Sequence, residues 1–255
     1  MRSLLDILAP AALIAVLLGA WEIACHVLAV PPSILPPPSQ IAVVTVQNLP
    51  LLLSAAWNTL STALVALVLA SLIACASALA VAVSPLLERS LQPIVTTLQV
   101  TPVVAIAPLV VIWAGFEHPE RAVTVLAVIV AFFPIYSGAV TGLKAVDPDL
   151  NRLFDVYGAS DIQKLIRLRL PSAAPFLLEG HKVAAGLALV GAVVAEYVAG
   201  TGAAQGLAWR ILEAEHRLET AKMFGALFVL ALMGAALYGL MQALEQRIIR
   251  HWRGR

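Results

Sequence analysis

Charge is what this sequence has least of: only 12% of its 255 residues are Asp, Glu, Lys or Arg. An ordinary soluble domain carries about 25%. With 61% hydrophobic residues and a mean hydropathy of +0.93, the chain cannot clothe a water-facing surface of its size. Disorder is excluded on the same ground, because it needs low hydrophobicity and high net charge. The near balance of 16 basic and 15 acidic residues leaves no excess to attract nucleic acid. Cysteine is scarce too. Cys25 and Cys75 both lie in apolar runs, without zinc-site spacing and too few for a disulfide framework. No GxxxxGK[ST] loop is present, so the chain has no phosphate cradle for ATP and no cofactor is expected on it. Strand-like alternation, a fixed-period repeat and a low-complexity tract are missing as well, which removes a β-barrel. The first apolar run contains Glu22 and His26 and lacks a small-residue cleavage site, so it reads as a retained helix.

What remains is an all-α integral membrane protein, read as one domain over residues 1–255. Six segments have the roughly 20 apolar residues that a helix needs to cross a bilayer. They are about 10–29, 57–83, 94–115, 122–143, 173–200 and 223–244. Between the first two lies a proline-rich stretch, after which Ser39 is placed to cap a short amphipathic segment from Gln40 to Leu49. No charged residue occurs from Val27 to Leu87, which blurs the start of the second span. The fifth must carry Glu179, His181 and Lys182 near one end and Glu196 near the other. With both termini in the cytoplasm, twelve of the Lys and Arg residues fall on that side and four outside, as the positive-inside rule requires.

The longest hydrophilic connection, about 144–172, joins the fourth and fifth spans. Pro148 can open a helix whose apolar face holds Leu150, Leu153, Phe154, Val156 and Tyr157, and Gly158 breaks it. Ala159-Ser160-Asp161 then offers a cap for a second helix, Ile162 to Leu170, ended by Pro171. A solvated charged loop is the plain alternative. Against it, each short helix has an apolar face that needs a partner surface.

Gly158, nine residues, then Leu168-Arg169-Leu170-Pro171 resembles the cytoplasmic signature of permease subunits of bacterial ATP-binding-cassette importers. That signature runs Glu-Ala-Ala, three residues, Gly, nine residues, Ile-x-Leu-Pro. Arg152-Leu153-Phe154 stands where the triplet belongs and Leu168 replaces the Ile, so the family glutamate's role does not carry over. Thr101-Pro102 through Pro108 to Trp113 and Gly115, then Phe132-Phe133-Pro134-Ile135-Tyr136, then Leu170-Pro171 through Pro175, are similar to the nitrate, sulfonate and taurine permease group. Val194 to Gly200 and Leu207 to Glu213 look most like a branch associated with pyrimidine vitamin precursors and riboflavin.

The resemblance implies a type I importer permease in the bacterial inner membrane, with a coupling helix between helices 4 and 5. It implies a homodimer around a central path, embedded in membrane lipid. Its partners are two cytoplasmic ATPases that use ATP and Mg, and a periplasmic or lipid-anchored substrate-binding protein. The coupling residues would be Asp155, Tyr157, Gly158, Ala159, Ser160, Asp161, Leu170 and Pro171. Candidates to line the path are Thr101, Pro102, Trp113, Pro134, Tyr136 and Glu196. No Arg lies deep in any span, which leans away from strongly anionic solutes and toward a heterocycle, with sulfonate, taurine or nitrate still open. The rival class is a secondary transporter driven by an ion gradient; the missing internal repeat argues against it.

Overall fold

A computed structural model describes residues 4–114, 119–199 and 205–252. Among these residues every regular element is helical. The elements are α1 (Leu4–Val27), α2 (Pro38–Gln47), α3 (Leu49–Val83), α4 (Pro85–Val100), α5 (Val103–Ala114) and α6 (Pro119–Lys144). After them come α7 (Pro148–Val156), α8 (Asp161–Lys164), a π-helical turn (Leu165–Arg169), α9 (Leu170–Ala199), α10 (Leu207–His216) and α11 (Thr220–Trp252). Among the described residues five helices are long and apolar enough to cross a membrane, or six if the bent pair α4–α5 counts as one span.

The chain divides into two compact units. One comprises residues 1–57 and 205–231. In it, the Glu22 carboxylate of α1 accepts hydrogen bonds from the Ser39 backbone N–H (3.0 Å) and hydroxyl (2.7 Å). A carboxylate from one helix thus satisfies the N-terminal donors of another, where the helix dipole also favours negative charge. The expected Ser39 cap is corrected by this: Pro37 holds the cap position, and the serine hydroxyl is spent on Glu22. Trp21 and Phe224 meet with ring centroids 5.6 Å apart. The short helix α10 is an addition to the sequence reading. Glu213 anchors it, pairing with Arg210 at 2.9 Å and Arg217 at 2.8 Å. The Arg210 hydrogen bond, and after it the neighbouring cations, hold the Glu213 carboxyl below the usual carboxylate range.

The other unit comprises residues 58–204 and 232–255, and α6 and α9 are its central pair. A Cβ added to Gly138 would stand 2.6 Å from the Phe176 carbonyl oxygen, and one on Gly180 would stand 2.6 Å from that of Pro134. Gly142 comes as close to Ala173, and Gly191 to Ala127. The partners run in opposite order along the two helices, so the pair is antiparallel. Glycine and alanine let the backbones touch, which is how helices gain contact where lipid supplies no hydrophobic drive. Ala131, Ala184 and Ala188 complete this small-residue seam and are fully buried.

Three boundaries differ from the sequence reading. The third segment is not one continuous helix: α4 and α5 meet at 101° across Thr101-Pro102. Pro102 disfavours helical backbone at the residue before it, and Thr101 is extended (φ −71°, ψ 128°). The second span begins earlier, at Leu49. Pro171 does not end a helix either, because α8, the π turn and α9 run on as one rod. The Leu170 N–H bonds to Leu165 O, a wider turn placed just before the proline, whose ring would otherwise crowd the Arg167 carbonyl.

Candidate functional site

The connection after α6 folds into a rigid elbow. Asp147 caps α7, its carboxylate accepting from the Asp149 N–H at 2.8 Å, and Pro148 occupies the first helical position, where its missing N–H costs nothing. The helix ends at Gly158, whose φ of +68° is the left-handed conformation that a Cβ disfavours. Two hydrogen bonds close the end: Gly158 N–H to Asp155 O at 3.0 Å and Ala159 N–H to Phe154 O at 2.9 Å. Together they form a Schellman motif, which satisfies the last carbonyls of α7. Ser160 then caps α8 reciprocally with Gln163, side chain to backbone in both directions (3.3 and 2.9 Å). A Lys164–Asp155 ion pair ties the two arms of the elbow.

This rigid frame presents apolar side chains outward. Val156 is 83% exposed and Tyr157 82%, with Ile162, Leu150 and Leu153 also exposed. Of the eight residues expected at the coupling element, Asp155, Tyr157, Gly158, Ala159, Ser160 and Asp161 are brought together here. Leu170 and Pro171 are not; they lie beyond the π turn, about 15 Å farther along the rod at 1.5 Å per residue.

A second feature lies against the α6–α9 seam. An open cavity of about 610 Å³ is bordered by α4, α5, α6 and α9. Phe133 and Phe176 supply aromatic wall, and Gln99, Ser137, Thr141 and Glu179 supply the polar groups. Gln99 and Val103 reach it from either side of the Thr101-Pro102 break. Among the described residues no Lys or Arg lines it, but Lys182 pairs with the lining carboxylate of Glu179 and with Glu245 at 3.0 Å.

Of the six pathway candidates, only Pro134 borders this cavity. Thr101 and Pro102 make the helix break, and the Thr101 hydroxyl bonds back to Thr97 O at 2.9 Å. Trp113 is exposed toward the other end of α5, next to residues 115–118, which lie outside the described residues. Tyr136 is buried, stacked on Phe132 at 5.4 Å, with its hydroxyl unpartnered. Glu196 is buried and accepts a hydrogen bond from the buried Thr59 hydroxyl of α3 at 2.8 Å. The sequence reading did not single out Gln99, Ser137 or Thr141, and it placed Glu179 only near one end of the fifth span. A signal existed. Phe133, Ser137 and Thr141 recur every four residues on α6, one polar-aromatic line on an otherwise apolar span.

Residues 66–250 match the family described as binding-protein-dependent transport system inner membrane component. Over 243 residues the chain is 30% identical to a probable ABC transporter permease protein of Haemophilus influenzae, covering 95% of this chain and 97% of that protein. Identity is 30% over 255 residues to the formylaminopyrimidine transport permease protein of Halalkalibacterium halodurans, covering 99% of both chains. The taurine transport system permease protein of Escherichia coli is 29% identical over 248 residues, covering 94% of this chain and 88% of its own. The family match over most of the chain, the full-length relatives and the apolar helices lead to one conclusion: this polypeptide belongs to the inner membrane components of binding-protein-dependent transport systems, as a multi-pass ABC transporter permease of the sulfonate, taurine and nitrate group.

Proposed function

We propose that this chain is the permease subunit of an ATP-driven importer, paired with a second copy and driven by two cytoplasmic ATPases. The observation that carries this is the elbow at Gly158. A turn fixed by a Schellman motif, a capping box and an ion pair holds Val156 and Tyr157 in the open, where apolar side chains cost free energy unless a partner covers them. The ATPase is that partner, and hydrolysis takes place there, with ATP and Mg. A substrate-binding protein delivers solute to the opposite face. The charge bias of the loops supports a cytoplasmic location for both termini and the elbow. For the solute we propose a small heterocycle, supported by the full-length similarity to a formylaminopyrimidine permease. The ion-gradient alternative lacks support.

Co-expression with the genes beside it tests the assignment. The expected result is an ATPase that co-purifies and drives vanadate-sensitive uptake into proteoliposomes. Uptake that follows a sodium or proton gradient without ATP would overturn it.

A further inference from the structure

We infer that the pocket where α3, α4, α6 and the π turn meet holds the phosphate of an anionic phospholipid head group, clasped between Lys144 and Arg169. Among the described residues five Lys or Arg residues are half-buried: Lys164, Arg169, Lys182, Arg210 and Lys222. Four of them are paired with carboxylates, Lys164 with Asp155, Lys182 with Glu179 and Glu245, Arg210 with Glu213 and Lys222 with Glu219. Arg169 is the exception, with no carboxylate partner among the described residues. A cation drawn partly out of water without a counter-ion is costly, and an anion from outside the chain would offset that cost. Arg169 lines a pocket of about 130 Å³ together with Glu88 and Lys144, which form an ion pair. One carboxylate cannot neutralise two cations, so the pocket keeps a net positive charge.

The place of the pocket selects the anion. The sequence is uncharged from Val27 to Leu87 and meets Glu88 next; it is uncharged again from Ala122 to Leu143 and meets Lys144. The pocket therefore sits at the edge of the apolar spans, on the face that the charge bias assigns to the cytoplasm, where anionic lipids give the membrane its negative surface potential. The inference rests on that placement and is independent of the solute. Val81, Val140 and Leu143 supply apolar wall beside the charged groups. A phospholipid head has the same two parts, a charged phosphate over an apolar glycerol ester. The volume is that of roughly four waters at about 30 Å³ each, room for a phosphate group and well below the roughly 300–1,000 Å³ of small-molecule sites. The Arg169 fork matches two phosphate oxygens, and Lys144 adds a point charge. Arg169 is the last residue of the π turn, so a seated head group fastens the rod between the elbow and α9 to the ends of α3 and α6.

The test is native mass spectrometry of the full chain in detergent, titrated with dioctanoyl phosphatidylglycerol, dioctanoyl phosphatidylcholine or inorganic phosphate. Phosphatidylglycerol should be held most tightly. Phosphatidylcholine carries the phosphate without net charge, and inorganic phosphate lacks the apolar part. Arg169→Gln should weaken phosphatidylglycerol about tenfold, the scale of losing one hydrogen bond to a charged group, and Arg169→Lys should restore part of the affinity. Glu88→Gln, which releases Lys144, should tighten binding, a gain that a purely structural ion pair does not produce. Equal binding of phosphatidylglycerol and phosphatidylcholine, or of wild type and Arg169→Gln, overturns the inference. Tighter binding of inorganic phosphate overturns it too, since the site would then serve a soluble anion. Arg169→Gln that keeps the lipid but loses a co-purifying ATPase assigns the arginine to that interface and overturns it as well. A wild type that co-purifies no ATPase sinks the importer reading and leaves the lipid measurement standing.

Discussion

Gly158 combines a φ of +68° with open space, since no heavy atom lies within 4 Å of where its Cβ would stand. A side chain there is strained by the backbone and meets no wall. Gly158→Ala should therefore cost the elbow about 1 kcal/mol and leave the spans intact, visible as faster hydrogen exchange confined to residues 148–164. Glu213 gives the second residue-scale prediction. Its carboxyl is held below the ordinary range, so the stability it contributes is present above its unfolded-state pKa and is lost as pH falls through the lowered folded-state value. The α10 segment should loosen on acidification below about pH 4, and Glu213→Gln should be weaker at neutral pH but flat through that window. Limited proteolysis at Arg217 across pH reads this out. A wild type as acid-insensitive as the variant would contradict it.

At the scale of elements, the α6–α9 seam and the α4–α5 bend make separable predictions. Gly138→Val forces a side chain against the Phe176 carbonyl and should destabilise by about 1–3 kcal/mol, lowering the melting temperature in detergent. Gly186→Ala, where nothing stands within 4 Å, should be neutral or raise it slightly. Pro102→Ala frees Thr101 to turn helical, and spin labels at Arg89 and Ile112 should move apart as the 101° bend opens. Five of the six apolar segments were legible as long helices because hydropathy needs no knowledge of neighbours. The elbow was legible for the same reason: Gly158 acts through its own backbone, and Ser160 caps through its hydroxyl a residue only three positions on. The straight reading of the third segment failed because composition sees apolar residues on both sides of Pro102 and is blind to the angle between them. Pro171 misled in the opposite sense, since a π turn can absorb a proline that local rules take as a stop. Of the cavity only the α6 line of Phe133, Ser137 and Thr141 was legible, because Gln99 and Glu179 are far from it in sequence and join it only in the folded unit.

For the whole molecule, orientation and coupling are the claims that matter. A cysteine at position 37 should label from outside intact cells, and one at 160 should not; labelling at 160 by an impermeant reagent would reverse the topology. Coupling is the central claim, and one measurement tests it most directly. Gly158→Trp places a large side chain at the elbow, outside the spans and facing no internal neighbour, so insertion and folding should survive. In proteoliposomes with the ATPase, this variant should lose ATPase docking, or keep docking while hydrolysis no longer drives uptake. Docking, substrate-stimulated hydrolysis and uptake all at wild-type levels would show that the elbow is not where the ATPase acts on this permease.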